Sequence, residues 1–183
     1  MRNDIPRMLY NDDPSLRRAW HPIARVDDIN EQPTRHTLLG QDWVLFRTEA
    51  GISAFEDRCP HRLAPLSLGT VCAGTISCAY HGWQFDLEGA CTKIPALGPD
   101  AKIPPTAVLS RPFDIVEHLG MVFLAPEKPL TPLPQVSVHG DSSFLIGEVP
   151  VIEARASAGF MADNFLDMAH FPFLHAKTFG TDE

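Results

Sequence analysis

Apolar residues along this chain come in short runs broken by turn-forming residues, and from Trp20 to Ala125 that texture predicts strands rather than helices. Thr37–Leu39 and Val44–Arg47 flank Gly40-Gln41-Asp42, a predicted hairpin, and Gly51–Phe55 follows a Glu-Ala-Gly turn. Thr75–Ala79 and Gln84–Asp86 are predicted strands on either side of a Cys/His segment, and Glu88-Gly89 is a further turn. Met121–Ala125 is the most apolar strand candidate. Residues 126–134 then hold Pro126, Pro129, Pro132 and Pro134. Proline has no backbone donor for a ladder, so this stretch predicts a linker and a domain boundary. Beyond it, Ser143–Val149 and Val151–Ala156 are predicted strands, and Ala158–Ala169 is the one convincing helix, ended by Pro172. Residues 1–18 are polar and charged, with a short helix expected after Asp13-Pro14. The predicted organisation is an N-terminal segment (1–18), a mainly β domain (19–126), a proline-rich linker (127–135) and the start of a second domain (136–183).

Composition narrows the class. The chain has 183 residues, 44% hydrophobic and 21% charged, with a formal net charge of −8, a globular profile that disfavours nucleic acid or an anionic membrane as partner. No apolar run approaches the roughly 20 residues that span a bilayer. The N-terminus leads into no apolar signal-peptide core, so a cytoplasmic location is expected. Four cysteines in a chain of this length point to metal rather than to a disulfide framework.

The cysteines that matter lie in two boxes, Cys59-Pro60-His61-Arg62 and Cys78-Ala79-Tyr80-His81-Gly82-Trp83, sixteen residues separating His61 from Cys78. Two thiolates suit one ferric-like iron and two neutral imidazoles a second, more reducible one, so Cys59, His61, Cys78 and His81 are expected to hold a 2Fe–2S cluster of the Rieske type. Pro60 and Gly82 suit the tips of such loops. Two Cys and two His also bind zinc, but the usual finger places both cysteines first and both histidines on a helix. Cys72 and Cys91 have no histidine at ligand spacing and are expected to be buried small hydrophobes.

Both boxes resemble those of the Rieske non-haem iron oxygenases, in Asp57-Arg58-Cys59-Pro60-His61-Arg62, Leu66-Ser67-Leu68-Gly69, Tyr80-His81-Gly82-Trp83-Gln84-Phe85-Asp86 and Gly89-Ala90-Cys91 near Ile94-Pro95. The resemblance runs from about Trp20 to the C-terminus. It implies an antiparallel β-sandwich Rieske domain followed by the incomplete start of an α+β, helix-grip (START-like) catalytic domain. Respiratory-complex Rieske proteins differ, with an extra disulfide where this chain has Leu63 and Tyr80, and a serine soon after the second histidine where this chain has Trp83. Both departures imply a low-potential cluster, near the ~ −150 mV end of the Rieske range.

A second constellation, Asp167, His170 and His175, follows near the C-terminus. Asp167 and His170 are three apart and are expected to share a helix face, and His175 lies past Pro172, where the chain can turn it back. Two histidines and a carboxylate suit ferrous iron and dioxygen. Taken alone, histidines at an aromatic-rich helix end are more often core residues. The family resemblance makes His170 and His175 ligands of a mononuclear iron. It makes Asp167 a non-ligand catalytic bridge to a Rieske histidine, here His81, of the neighbouring subunit in a homotrimer. Asn164 matches a polar position near that iron and reads equally as a helix cap.

The activity implied is that of an oxygenase component, fed by a reductase or ferredoxin drawing on NADH or NADPH. It would use dioxygen to hydroxylate or O-/N-demethylate a small aromatic or heterocyclic substrate. Vanillate, dicamba and methylxanthine demethylases are the nearer branch. The family's third iron ligand is a downstream aspartate, which makes this chain a fragment of such a protein by expectation. The alternative is a Rieske ferredoxin-like electron carrier with no oxygenase activity of its own.

Overall fold

The computed structural model describes residues 13–100, 102–145, 147 and 152–178. The chain divides into two units, Pro14–Asp141 and a second comprising Met1–Asp13 and Ser142–Glu183. The larger unit opens on a 3-10 turn over Pro14–Arg18, where a short helix was expected. Its strands are β1 (His21–Arg25), β2 (Thr34–Leu38), β3 (Gln41–Thr48), β4 (Gly51–Glu56), β5 (Thr70–Cys72), β6 (Thr75–Ser77), β7 (Gln84–Phe85), β8 (Cys91–Lys93), β9 (Asp114–His118) and β10 (Met121–Ala125). They pair antiparallel in three sheets, β1-β10-β9, β2-β3-β4 and β5-β6-β7-β8.

The run Trp43-Val44-Leu45-Phe46 explains the layering. Successive strand residues face opposite ways, so an unbroken apolar run means that both faces are covered. Val44 and Phe46 join Phe55, Leu66, Ile76, Phe85 and Leu109 in one core, which also contains Cys59 and Cys78. Trp43 and Leu45 join Ile29, Ala54, Val122 and Leu124 in the other. The β2-β3-β4 sheet is therefore the middle layer of a β-sandwich, with the β1-β10-β9 sheet on one face and the small four-stranded sheet on the other.

The β2–β3 turn sits at Leu39-Gly40 (φ +50° and +73°) rather than at Gly40-Gln41-Asp42, so β3 begins at Gln41. Two residues with positive φ suffice because such turns match the twist of the strands. Ala73-Gly74 and Leu119-Gly120 close the β5–β6 and β9–β10 hairpins in the same way. Gly69 meets a harder constraint, since a Cβ there would lie 2.0 Å from the Ser77 carbonyl oxygen. The proline segment is fastened: Glu127 and Leu130 donate backbone N–H bonds to Arg17 and Arg18, and the Arg17–Glu127 ion pair closes to 2.7 Å. Cys72 is exposed on β5, against the expectation of burial, because it sits beside the hairpin turn on the outward edge of a three-residue strand. Cys91 is half-buried against the cysteine-containing core.

In the second unit, α1 spans Ala158–Leu166 and α2 spans Phe171–Leu174. Ser157 caps α1, its Oγ accepting the Phe160 N–H at 3.3 Å. The expected single helix to Ala169 stops at Leu166, where Asp167 leaves helical geometry with ψ 94°. Pro172 does not end that helix. It lies in the first turn of α2, where a missing N–H costs nothing. Of the strand expected over Ser143–Val149, residues 143–145 and 147 form turn and irregular backbone, and the rest lies outside the described residues. Of Val151–Ala156, the described residues 152–156 are likewise irregular. No described helix is long and apolar enough to cross a membrane.

Candidate functional site

The two Cys/His boxes fold into loops with the same backbone frame. The first joins β4 to β5: Cys59 N–H donates to the Ala64 carbonyl at 2.9 Å, and Leu63 N–H donates to the Cys59 carbonyl at 2.8 Å. The second joins β6 to β7: Cys78 N–H donates to the Trp83 carbonyl at 2.9 Å, and Gly82 N–H donates to the Cys78 carbonyl at 3.0 Å. The fifth residue of each loop is left-handed, Leu63 at φ +59° and Gly82 at φ +68°. A Cβ on Gly82 would also approach Pro95 Cγ at 3.1 Å. Within this shared frame the histidine is the third loop residue in one case and the fourth in the other.

The frame sorts the donors. Cys59 and Cys78 are buried, at 1% and 3% exposure, whereas His61 and His81 stand at the exposed tips with ring centroids 4.6 Å apart. Burial pushes the Cys59 thiol up to about 11, and the adjacent Cys78 thiol adds to the rise, while backbone N–H groups of His61 and Arg62 aimed at its sulfur work the other way. His61 is held below the usual imidazole value by desolvation, with His81 and Arg62 adding to it. The result is a thiol pair and an imidazole pair.

Among the described residues, no three His, Cys, Asp or Glu side chains are grouped to hold one metal ion. A tetrahedral zinc site needs its donors around a single point. A thiol pair and an imidazole pair, with amides directed at the Cys59 sulfur, are the donor set suited to a 2Fe–2S cluster with thiolates on one iron and imidazoles on the other.

Three residues that stand in the sequence only as motif positions support the site through contacts the motifs did not foretell. Trp83 stacks flat on His61, at a centroid distance of 4.6 Å and an interplanar angle of 5°, and Tyr80 lies 3.9 Å from the His81 ring. Asp57, its side chain fully enclosed, accepts Ser67 N–H at 2.7 Å, Ser67 Oγ at 2.6 Å and Arg35 Nε at 2.8 Å. It thereby pins both ends of the first loop to β2. A lone acid before a cysteine carries no pattern that would have disclosed this.

In the second unit, Asp167 Oδ2 lies 3.3 Å from His170 Nδ1, and the His170 and His175 rings are 5.3 Å apart. Phe171 meets both rings edge-on. Asp167 and His170 do not share a helix face as their spacing predicted. Asp167 terminates α1, His170 precedes α2, and the intervening turn, held by the Ala169 N–H to Asp167 Oδ1 bond at 2.9 Å, brings them together. Asn164 is exposed within α1 and is not its N-cap.

The Rieske 2Fe-2S domain family matches residues 19–112, and the vanillate O-demethylase oxygenase C-terminal domain family matches residues 154–183. The chain is similar to chlorophyllide a oxygenase of Arabidopsis thaliana, at 36% identity over 91% of this chain and 30% of the relative. It is similar to methylxanthine N1-demethylase NdmA of Pseudomonas putida, at 34% identity over 89% of this chain and 48% of the relative. The solved structure of NdmA from Pseudomonas putida CBB5 superposes with a TM-score of 0.80 at 34% identity, covering 92% of this chain and 53% of that one. The chain thus spans about half or less of the length of these relatives.

Proposed function

This chain belongs to the Rieske 2Fe-2S family, and from that premise we propose that it is part of the oxygenase component of a Rieske non-haem iron oxygenase. Cys59 and Cys78 hold one iron of the cluster, and His61 and His81 hold the other. His170 and His175 are ligands of a mononuclear iron. When bound, the cluster supplies electrons singly and the mononuclear iron offers open positions for dioxygen. The chain's own residues arrange the rest. Buried thiols keep water from the sulfur side, and exposed imidazoles present the electron-accepting edge. Asp167, with Oδ2 3.3 Å from His170 Nδ1, is placed to orient that ring and has a second oxygen to offer His81 of a neighbouring subunit in a homotrimer. A reductase or ferredoxin using NADH or NADPH supplies electrons. The substrate class is a small aromatic or heterocyclic compound that is hydroxylated or O-/N-demethylated.

The observation that carries this reading is the sorted donor set, a buried thiol pair and an exposed imidazole pair on two loops of one frame. The match of residues 154–183, which contain Asp167, His170 and His175, supports the oxygenase part. Iron and sulfide analysis with EPR of the reduced protein tests it: a Rieske signal with a third iron beyond the cluster is expected, and one zinc with no signal overturns it. Formaldehyde release from a methylated aromatic, with NADH and a reductase, is the expected turnover product, and a cis-diol would rule out demethylation. A pure electron carrier is the second reading, favoured by the fact that all four cluster donors lie in the one unit that has its own cores. Two irons per chain under iron-replete conditions would select it.

A further inference from the structure

We infer that Trp83 is a positioning residue that braces the two cluster loops against each other and holds the cluster toward its oxidised state. This rests on the Rieske reading of the site. The brace is geometric. The Trp83 carbonyl closes the second loop by accepting the Cys78 N–H at 2.9 Å, and its indole lies flat on His61 of the first loop, 4.6 Å away at 5°. No other residue described at the site closes one loop by its backbone and stacks on the histidine of the other. Trp83 is also anchored from behind, packed against the core that contains both cysteines, with Phe85 at 6.4 Å. His61 is thus covered on one face by indole and lies 4.6 Å from the His81 ring at 65°, whereas His81 has Tyr80 beside it at 3.9 Å.

The stacking has a redox consequence. An imidazole bound to the more oxidised iron carries more positive charge, which the electron-rich indole face favours. The same indole keeps water from one side of the ring, and water favours the reduced cluster because it carries one more negative charge. Both effects lower the potential, so removing the indole face raises it. At cation–π strength for a partly exposed ring, the equilibrium with a redox dye shifts about two- to fivefold toward the reduced cluster.

The test compares Trp83→Leu with Trp83→Phe in the full chain, after iron and sulfide counting. The Leu variant is expected to shift the dye equilibrium by that factor and to alter the histidine nitrogen couplings in pulsed EPR. The Phe variant, which keeps an aromatic face, is expected to restore native couplings and most of the native equilibrium. Loss of the cluster from the Leu variant with retention in the Phe variant also supports the brace. The inference is overturned if the two variants behave alike, whether both match the native protein or both lose the cluster. Failure of the Rieske reading shows itself separately, as a native protein without a 2Fe–2S signal.

Discussion

At the scale of single residues, the site depends on a few side chains with no chemistry of their own. Asp57 gathers two bonds from Ser67 and one from Arg35 in an enclosed position. Asp57→Ala leaves those donors unpaired, and a urea titration is expected to show a loss of about 2–3 kcal/mol. Leu63 occupies a left-handed conformation that costs L-residues about 1–2 kcal/mol, with its side chain 62% exposed. Leu63→Gly is therefore expected to raise stability by roughly 0.5–1 kcal/mol, after the entropy that glycine regains in the unfolded chain. An unchanged or lower melting temperature would contradict that. The two candidate ligand boxes stand out in the sequence because Cys-x-His and Cys-x-x-His are local patterns. Asp57 and Trp83 were not legible as supports, because the partners that matter, Ser67 and Arg35 for Asp57 and His61 for Trp83, are ten or more residues away and only folding joins them.

At the scale of elements, the strands were easiest to read where burial is two-sided or strongly apolar. β10 matches its expected bounds, and β3 follows from its unbroken apolar run. β1, β5, β8 and β9 were missed, because these short strands are largely half-exposed and lack clean alternation. Hairpin turns were obscured for a related reason: Leu-Gly and Ala-Gly occupy positions where Asn-Gly is the strong signal. Ala73→Asn is accordingly expected to raise the melting temperature, by several tenths of a kcal/mol in stability. Gly69→Ala drives a methyl into the Ser77 carbonyl, which is backbone and must move with β6. The expected cost is above about 2 kcal/mol, read as loss of both melting temperature and cluster occupancy. The helix at 158–169 was overextended because Asp167 and Ala169 have ordinary helix propensity, and the Ala169 N–H is captured instead by the Asp167 side chain.

At the scale of the whole molecule, every buried residue among those described belongs to the Pro14–Asp141 unit. A chain of residues 14–141 is expected to fold, melt cooperatively and bind two irons and two sulfides. A cluster-free or unfolded product would contradict this. The cluster-free form should also have a basic limit. Cys59 sits near 11 when folded against an ordinary value of 9.0, so the folded state favours the protonated thiol. The stability this confers is present below about 9 and is lost as pH rises through about 11, so the urea midpoint of the cluster-free protein should fall across that window. The proline segment, expected to be a linker, lies inside the Pro14–Asp141 unit, whose limit falls after Asp141; the middle-layer role of β2-β3-β4 was not legible either, since nothing local says which sheet covers which face. The paired loop frame has one more consequence. Closure rests on backbone bonds and one left-handed residue per loop, leaving the side chains of Pro60, Arg62 and Ala79 outside and exposed. Evolution can therefore redraw the rim that a redox partner meets without disturbing the grip on the metal, and descendants of one electron carrier can change allegiance by a handful of surface substitutions.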